Sequence, residues 1–124
     1  MGKNKKEEIT HLEAEINNLW GELNTVNIPH TVRIALEHQM QEVEDEFKHI
    51  LSGKGSASKL QKKLDKIDRE LAHAAIKQAE NEISKREHES AQFQGLENVL
   101  HQFNEKGISP NKARHEVKKI MRKH

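Results

Sequence analysis

Large apolar residues recur at intervals of three and four positions along most of this chain. Such spacing places them on one face of an α-helix, because about 3.6 residues make one turn. The pattern predicts a first helix over residues 5–26 and a second over residues 29–51. Both stripes repeat by heptads, which is typical of helices packed along a narrow seam. The stripes are Ile9, Leu12, Ile16, Leu19, Leu23 and Val26, then Val32, Leu36, Met40, Val43, Phe47 and Ile50.

Residues 52–57 contain two glycines and two serines and predict a loop. Ser56 or Ser58 is the expected N-cap of the helix that follows, because a serine hydroxyl can accept a hydrogen bond from the first turn. Residues 58–103 then contain no proline, and their first half carries a stripe formed by Leu60, Leu64, Ile67, Leu71 and Ala75. A helix this long needs the rest of the chain, or a second copy, to cover its stripe.

The stripe is interrupted in residues 84–92, which contain no large apolar side chain. Either the helix continues through solvent there, or it bends or breaks. We therefore divide the chain into an N-terminal three-helix bundle over residues 1–83, a polar spacer or hinge over 84–92, and a basic helical hairpin over 93–124. The hairpin turn is indicated by Gly107 as a C-terminal helix cap, Ser109 as an N-cap and Pro110 in the first helical turn.

These features predict an all-α fold: an antiparallel helical bundle or coiled coil, with one long helix and a short C-terminal hairpin. Hydrophobic and charged residues each make up 33% of the 124 residues, which favours narrow seams over a wide core. Heptad seams also favour self-association, and we expect a homodimer. Gly21 lies inside the first helix. Either the helix merely tolerates this glycine, or the glycine allows another helix to approach closely. Without cysteine or any apolar run of membrane-spanning length, we expect a cytoplasmic protein and no membrane partner.

Charge is balanced overall, with a formal net charge of +1, but it is uneven locally. From Lys106 onward the chain has seven Lys or Arg residues and one acidic residue, Glu116. The hairpin, with its turn at residues 107–109, resembles a helix-turn-helix, and a basic second helix can lie against phosphates. A plain αα-hairpin that contacts a protein explains the same residues.

The sequence gives little indication of a metal site or of catalytic residues. Two Glu-x-x-His pairs, Glu46 with His49 and Glu70 with His73, have the spacing used by carboxylate-bridged metal sites in bundles. Placed on the heptads, both histidines fall at position c, which points away from the seam. No serine lies beside an evident buried base. We therefore expect no metal, no cofactor, no catalytic residue and no enzymatic activity.

The leading hypothesis is a non-enzymatic interaction protein, an adaptor, regulator or inhibitor, that binds another protein through helix faces. Its expected contact residues are Arg86, His88, Phe93, His101, Lys112, Arg114, Lys118 and Arg122. The alternative is a small dimeric nucleic-acid-binding regulator. Its expected contact residues are Lys112, Arg114, Lys118, Lys119, Arg122 and Lys123.

Overall fold

The structure, a computed structural model, describes residues 2–85 and 90–122. Within these ranges the regular structure is entirely helical, which confirms the predicted all-α class. The elements are α1 (Gly2–Thr25), α2 (His30–Leu51), α3 (Ala57–Ser84), α4 (Ser90–His101), a π-helical segment (Gln102–Lys106) and α5 (Pro110–Arg122). Across the described part of the chain, no helix combines the length and apolar character needed to cross a bilayer.

The apolar gap after residue 83 coincides with the end of a helix. The hydroxyl of Ser84 donates a hydrogen bond to the carbonyl of Asn81 at 2.9 Å, and the N–H of Lys85 donates to the carbonyl of Glu82 at 3.3 Å. α3 ends at Ser84. The division into residues 1–83, 84–92 and 93–124 stays a prediction, and residues 86–89 lie outside the described part.

The chain forms two compact units, which we call the first and the second unit. The first unit comprises Met1–Val26 and His30–Ile67, and the second comprises Asn27–Pro29 and Asp68–His124. Helix α3 supplies its first eleven residues to the first unit and the remainder to the second.

Most positions of the apolar stripes in the first unit are buried. Five of the six apolar positions of the α1 stripe are buried, as are Leu36, Met40, Val43 and Ile50 of α2 and Leu60, Leu64 and Ile67 of α3. Burying one such side chain contributes roughly 1.5–3 kcal/mol before the entropy of ordering the chain is subtracted. This burial is the main term that holds the three helical segments together.

Polar contacts fix the ends and the register of this unit. The guanidinium of Arg33 in α2 donates to the carbonyl of Leu23 and, at 2.9 Å, to the carbonyl of Val26. Carbonyls at a helix C-terminus lack intrahelical partners, so a cation there satisfies them and complements the helix dipole. The indole N–H of Trp20 also donates to the carboxylate of Glu44 at 2.8 Å.

The second unit has a wider core than the α3 stripe alone predicts. Its buried cluster is Ala72, Ile76, Ala79, Ile83, Leu96, Val99, Phe103, Ala113 and Val117. Adjacent pairs on α3, such as Ala75 with Ile76, are both buried. This broad buried face exists because α4 and α5 both contribute side chains to the same cluster.

The turn between α4 and α5 follows the predicted local chemistry. Gly107 has a left-handed backbone (φ 73°), and its N–H donates to the carbonyl of Gln102. The hydroxyl of Ser109 accepts a hydrogen bond from the N–H of Lys112 at 3.1 Å, and Pro110 is the first residue of α5. These are the expected C-terminal glycine, N-cap serine and first-turn proline.

Candidate interaction site

Helix α5 divides into an apolar side and a basic side. Ala113 and Val117 belong to the buried cluster of the second unit, and Ile120 and Met121 pack against it. The cationic residues Lys112, Lys118, Lys119 and Arg122 are exposed. Lys119 lies 3.9 Å from Glu116, the one acidic residue of the helix, in a surface pair of small energetic weight. The exposed side of α5 therefore carries an excess of positive charge.

Arg114, expected at the contact surface, lies in the interior of the second unit. Only 2% of this residue is exposed, and its Nη1 donates to the carboxylate of Asp68 and, at 3.3 Å, to the carbonyl of the same residue. Since a buried guanidinium needs such partners, a contact through Arg114 would first require this pair to separate. The sequence carries a signal for this burial, because Arg114 lies three residues before Val117 and seven before Met121.

The remaining expected contact residues are spread over α4 and its flanks. Phe93 is half-buried and packs against the core cluster, whereas His101 is exposed near the end of α4. Arg86, His88 and Lys123 lie outside the described residues.

Helix α4 positions α5 through two close contacts. A side-chain carbon placed on Gly95 would lie 3.3 Å from Cδ1 of Ile120, so the glycine leaves room for α5 to approach. The amide nitrogen of Gln92 donates to the carbonyl of Ile120 at 2.9 Å. Because that carbonyl is near the end of α5, this bond satisfies an acceptor that lacks an intrahelical partner. The outward face of α5 is thereby held in a fixed orientation relative to α4.

A buried carboxyl group in α3 was missed by reasoning from the sequence. Glu80 is 5% exposed and lies between Ile76 and Ile83 on the apolar face. Burial, together with the neighbouring carboxyl of Glu97 in α4, raises the pKa of Glu80 from 4.5 to about 7, against the opposing effect of Lys77. The available signal was its position, four residues after Ile76 and three before Ile83.

The two Glu-x-x-His pairs, Glu46 with His49 and Glu70 with His73, lie in α2 and α3. His49 and His73 are exposed, in keeping with their assignment to the outer heptad position. Among the residues that the structure describes, no three His, Asp or Glu side chains are grouped so as to hold a metal ion.

No protein-family model, no curated protein and no solved structure matches this chain. The site is therefore interpreted from its own geometry: a basic helix face, presented by a hairpin whose inner side is packed on α3.

Proposed function

We propose that this chain is a non-enzymatic interaction protein, an adaptor, regulator or inhibitor, that binds another protein through its exposed helix faces. The contact surface centres on the second unit and uses Phe93, His101, Lys112, Lys118 and Arg122. Arg86 and His88 lie outside the described residues and stay predicted contact residues. We assign Arg114 to the support of this surface, since its guanidinium is engaged with Asp68.

The observation that carries the proposal is the two-sided character of α5. Its apolar side is already covered within the second unit, and its cationic side is exposed. A helix whose inner side is fully used has its outer side available for a partner. The charge on that side favours a partner surface rich in Asp and Glu, which would also speed encounter at low ionic strength.

We further propose that the helices pack as an antiparallel bundle and that the chain forms a homodimer in the cytoplasm. The hydrogen bond from Trp20 to Glu44 and the contacts of Arg33 with Leu23 and Val26 support a hairpin of α1 and α2. Ile34 and Leu51 of α2 are 51% and 57% exposed, and burying them would favour association of two copies.

Charge reversal with a matched control tests the protein-binding proposal. The triple variant Lys112→Glu, Lys118→Glu and Arg122→Glu inverts the α5 face. The control variant Lys54→Glu, Lys59→Glu and Lys62→Glu changes the same net charge on exposed residues of the first unit. After crosslinking in the producing cells and mass spectrometry, partners captured by the native chain and by the control should be lost from the α5 variant. Equal capture by all three chains would refute the proposed surface.

Nucleic-acid binding is the second candidate, and the exposed lysines and arginine of α5 favour it. Each phosphate contact made by such a residue releases counterions, so affinity should fall steeply with added salt. Fluorescence anisotropy with mixed-sequence DNA and RNA tests this at low and moderate salt. Binding that disappears when Lys112, Lys118, Lys119 and Arg122 are changed to Ala would favour this candidate. No anisotropy change at low salt would eliminate it.

A further inference from the structure

Helix α2 carries a second row of residues with heptad spacing beside its buried stripe. The members of this row follow one another at intervals of three, four, three, four and three residues, so they share one face of the helix. Four of them are exposed, and the two glutamates are half-buried. We call this row the outer stripe, and it consists of Ile34, Glu37, Gln41, Glu44, Lys48 and Leu51.

The two ends of the outer stripe are apolar and exposed to solvent. Among the residues that the structure describes, the large apolar side chains left exposed are Ile34, at 51%, and Leu51, at 57%. They lie about 25 Å apart along α2, because an α-helix rises about 1.5 Å per residue. Removing apolar surface from water is favourable, so a surface that covers both ends at once would be stabilised.

The charges between these ends are complementary when the stripe is laid against a second copy of itself in reverse. In that antiparallel register Ile34 of one copy faces Leu51 of the other. Glu37 likewise faces Lys48, and two such ion pairs form because a two-fold axis repeats every contact. A parallel register would instead place Glu37 against Glu37 and Lys48 against Lys48, and like charges oppose association. Charge therefore selects the antiparallel orientation.

Gln41 and Glu44 meet at the centre of the antiparallel register. The carboxylate of Glu44 accepts a hydrogen bond from the indole N–H of Trp20 at 2.8 Å, and a carboxylate has further acceptor sites. The amide of Gln41 in the other copy can donate to one of them. Polar residues at seam positions of a coiled coil specify the register at a cost in stability. The outer stripe thus favours one defined pairing of modest strength.

We propose that two copies of this chain associate through the outer stripe of α2, in an antiparallel register that sets Ile34 of each copy against Leu51 of the other. This inference rests on the proposed homodimer and names its interface. Single exposed apolar side chains are common on proteins, and this pair is distinguished by the charges that lie between its members. A second copy supplies both the apolar ends and the reversed order of charges.

Sedimentation equilibrium of the full-length chain tests the interface. The mass of the native chain should rise from monomer towards dimer as its concentration is raised. The single variants Glu37→Lys and Lys48→Glu each create two like-charge pairs, and each should weaken the dimer by at least about tenfold. Mixed in equal amounts, these two variants should associate with each other, because every lysine of the register then faces a glutamate.

Matched controls make the same charge changes outside the outer stripe. Glu105→Lys and Lys66→Glu alter exposed residues and should leave the dimer unchanged. Lys48 is exposed, so its variant remains informative should Glu37→Lys fold poorly by circular dichroism. If the outer-stripe variants dimerise as the native chain does, or if their mixture stays monomeric, the interface is wrong.

The orientation has a test of its own, because the chain contains no cysteine. A chain with Ile34→Cys and a chain with Leu51→Cys should form a disulfide-linked pair when they are mixed and mildly oxidised. Neither variant alone should crosslink to the same extent, since the antiparallel register keeps identical positions about 25 Å apart, too far for a disulfide. Efficient crosslinking of Ile34→Cys with itself would contradict the antiparallel register.

The outcomes separate this inference from the proposed function. A native chain that stays monomeric at high concentration refutes the homodimer and the interface together. A dimer that tolerates every outer-stripe variant refutes the interface alone. The contact surface on α5 is tested independently, by partner capture with the α5 variant.

Discussion

The guanidinium of Arg114 in α5 donates to the carboxylate of Asp68 in α3, two residues that are 46 positions apart in sequence. Arg114 is 2% exposed, whereas the side chain of Asp68 is 26% exposed. Removing Asp68 should therefore have a different effect on stability from removing Arg114. Water can reach Asp68, but it cannot readily replace a lost partner of Arg114. This asymmetry makes the pair a sensitive probe of the second unit.

We predict that Asp68→Ala lowers the free energy of unfolding more than Arg114→Met does. The first variant removes a carboxylate to which the buried guanidinium donates and should cost about 2–3 kcal/mol. The second keeps much of the side-chain volume and leaves an acid that water can solvate, so it should cost about 1 kcal/mol. Urea unfolding followed by circular dichroism measures both. The reverse order would show that the cation is not buried in solution.

Two glycines in helices should respond differently to substitution. A side-chain carbon on Gly21 would meet no atom within 4 Å, so Gly21→Ala should stabilise the chain by up to about 1 kcal/mol through helix propensity. At Gly95 the space is occupied by Ile120, and Gly95→Val should cost about 1–3 kcal/mol through overpacking. Adding Ile120→Val to the Gly95→Val variant removes the contacting Cδ1 and should recover part of the lost stability. Thermal unfolding of the three variants checks the order.

Gly21→Ala also tests self-association. If a second copy packs closely at this glycine, the added methyl group should weaken the dimer even as it stabilises the helix. Sedimentation equilibrium of the native chain and the variant distinguishes these effects. An unchanged mass would indicate that Gly21 is merely tolerated in α1.

The start of α3 offers a test of capping with an internal control. The hydroxyl of Ser56 accepts a hydrogen bond from the N–H of Lys59 at 3.3 Å, whereas Ser58 lies within the helix. Ser56→Ala should therefore lower the free energy of unfolding by about 1 kcal/mol. Ser58→Ala should change it by less than about 0.5 kcal/mol. Equal losses in the two variants would argue against Ser56 as the cap.

Stability should also depend on pH through Glu80. Folding raises the pKa of this buried acid from 4.5 to about 7. Between these two pH values the carboxyl group is therefore protonated in the native state and ionised in the unfolded chain. The stabilising contribution is fully present below about pH 4.5, and it declines as pH rises until it is lost above about pH 7. Relative to Glu80→Gln, the native chain should lose about 3 kcal/mol across this range. Parallel pH-stability curves for the two chains would contradict the raised pKa.

Much of the fold could be predicted because its determinants are local. The α1 stripe from Leu12 to Leu23 and the α3 stripe from Leu60 to Leu71 are set by the 3.6-residue period. Gly107, Ser109 and Pro110 act on the turn that contains them. The end of α3 was only partly predictable, because a gap in the apolar pattern can accompany either a solvated helix or a broken one.

The candidate site was harder to predict because charge is an ambiguous guide to burial. Lys112, Lys118 and Arg122 are exposed, as a basic helix face suggests, yet Arg114 on the same helix is buried. The sequence by itself determined which residues form helices and where the hairpin turns, since those choices depend on neighbours along the chain. The tertiary structure alone decided that Arg114 and Glu80 lie inside. Burying the cation of Arg114 is tolerable because Asp68 arrives from a distant helix. Burying Glu80 is tolerable because burial raises its pKa and so favours the neutral acid.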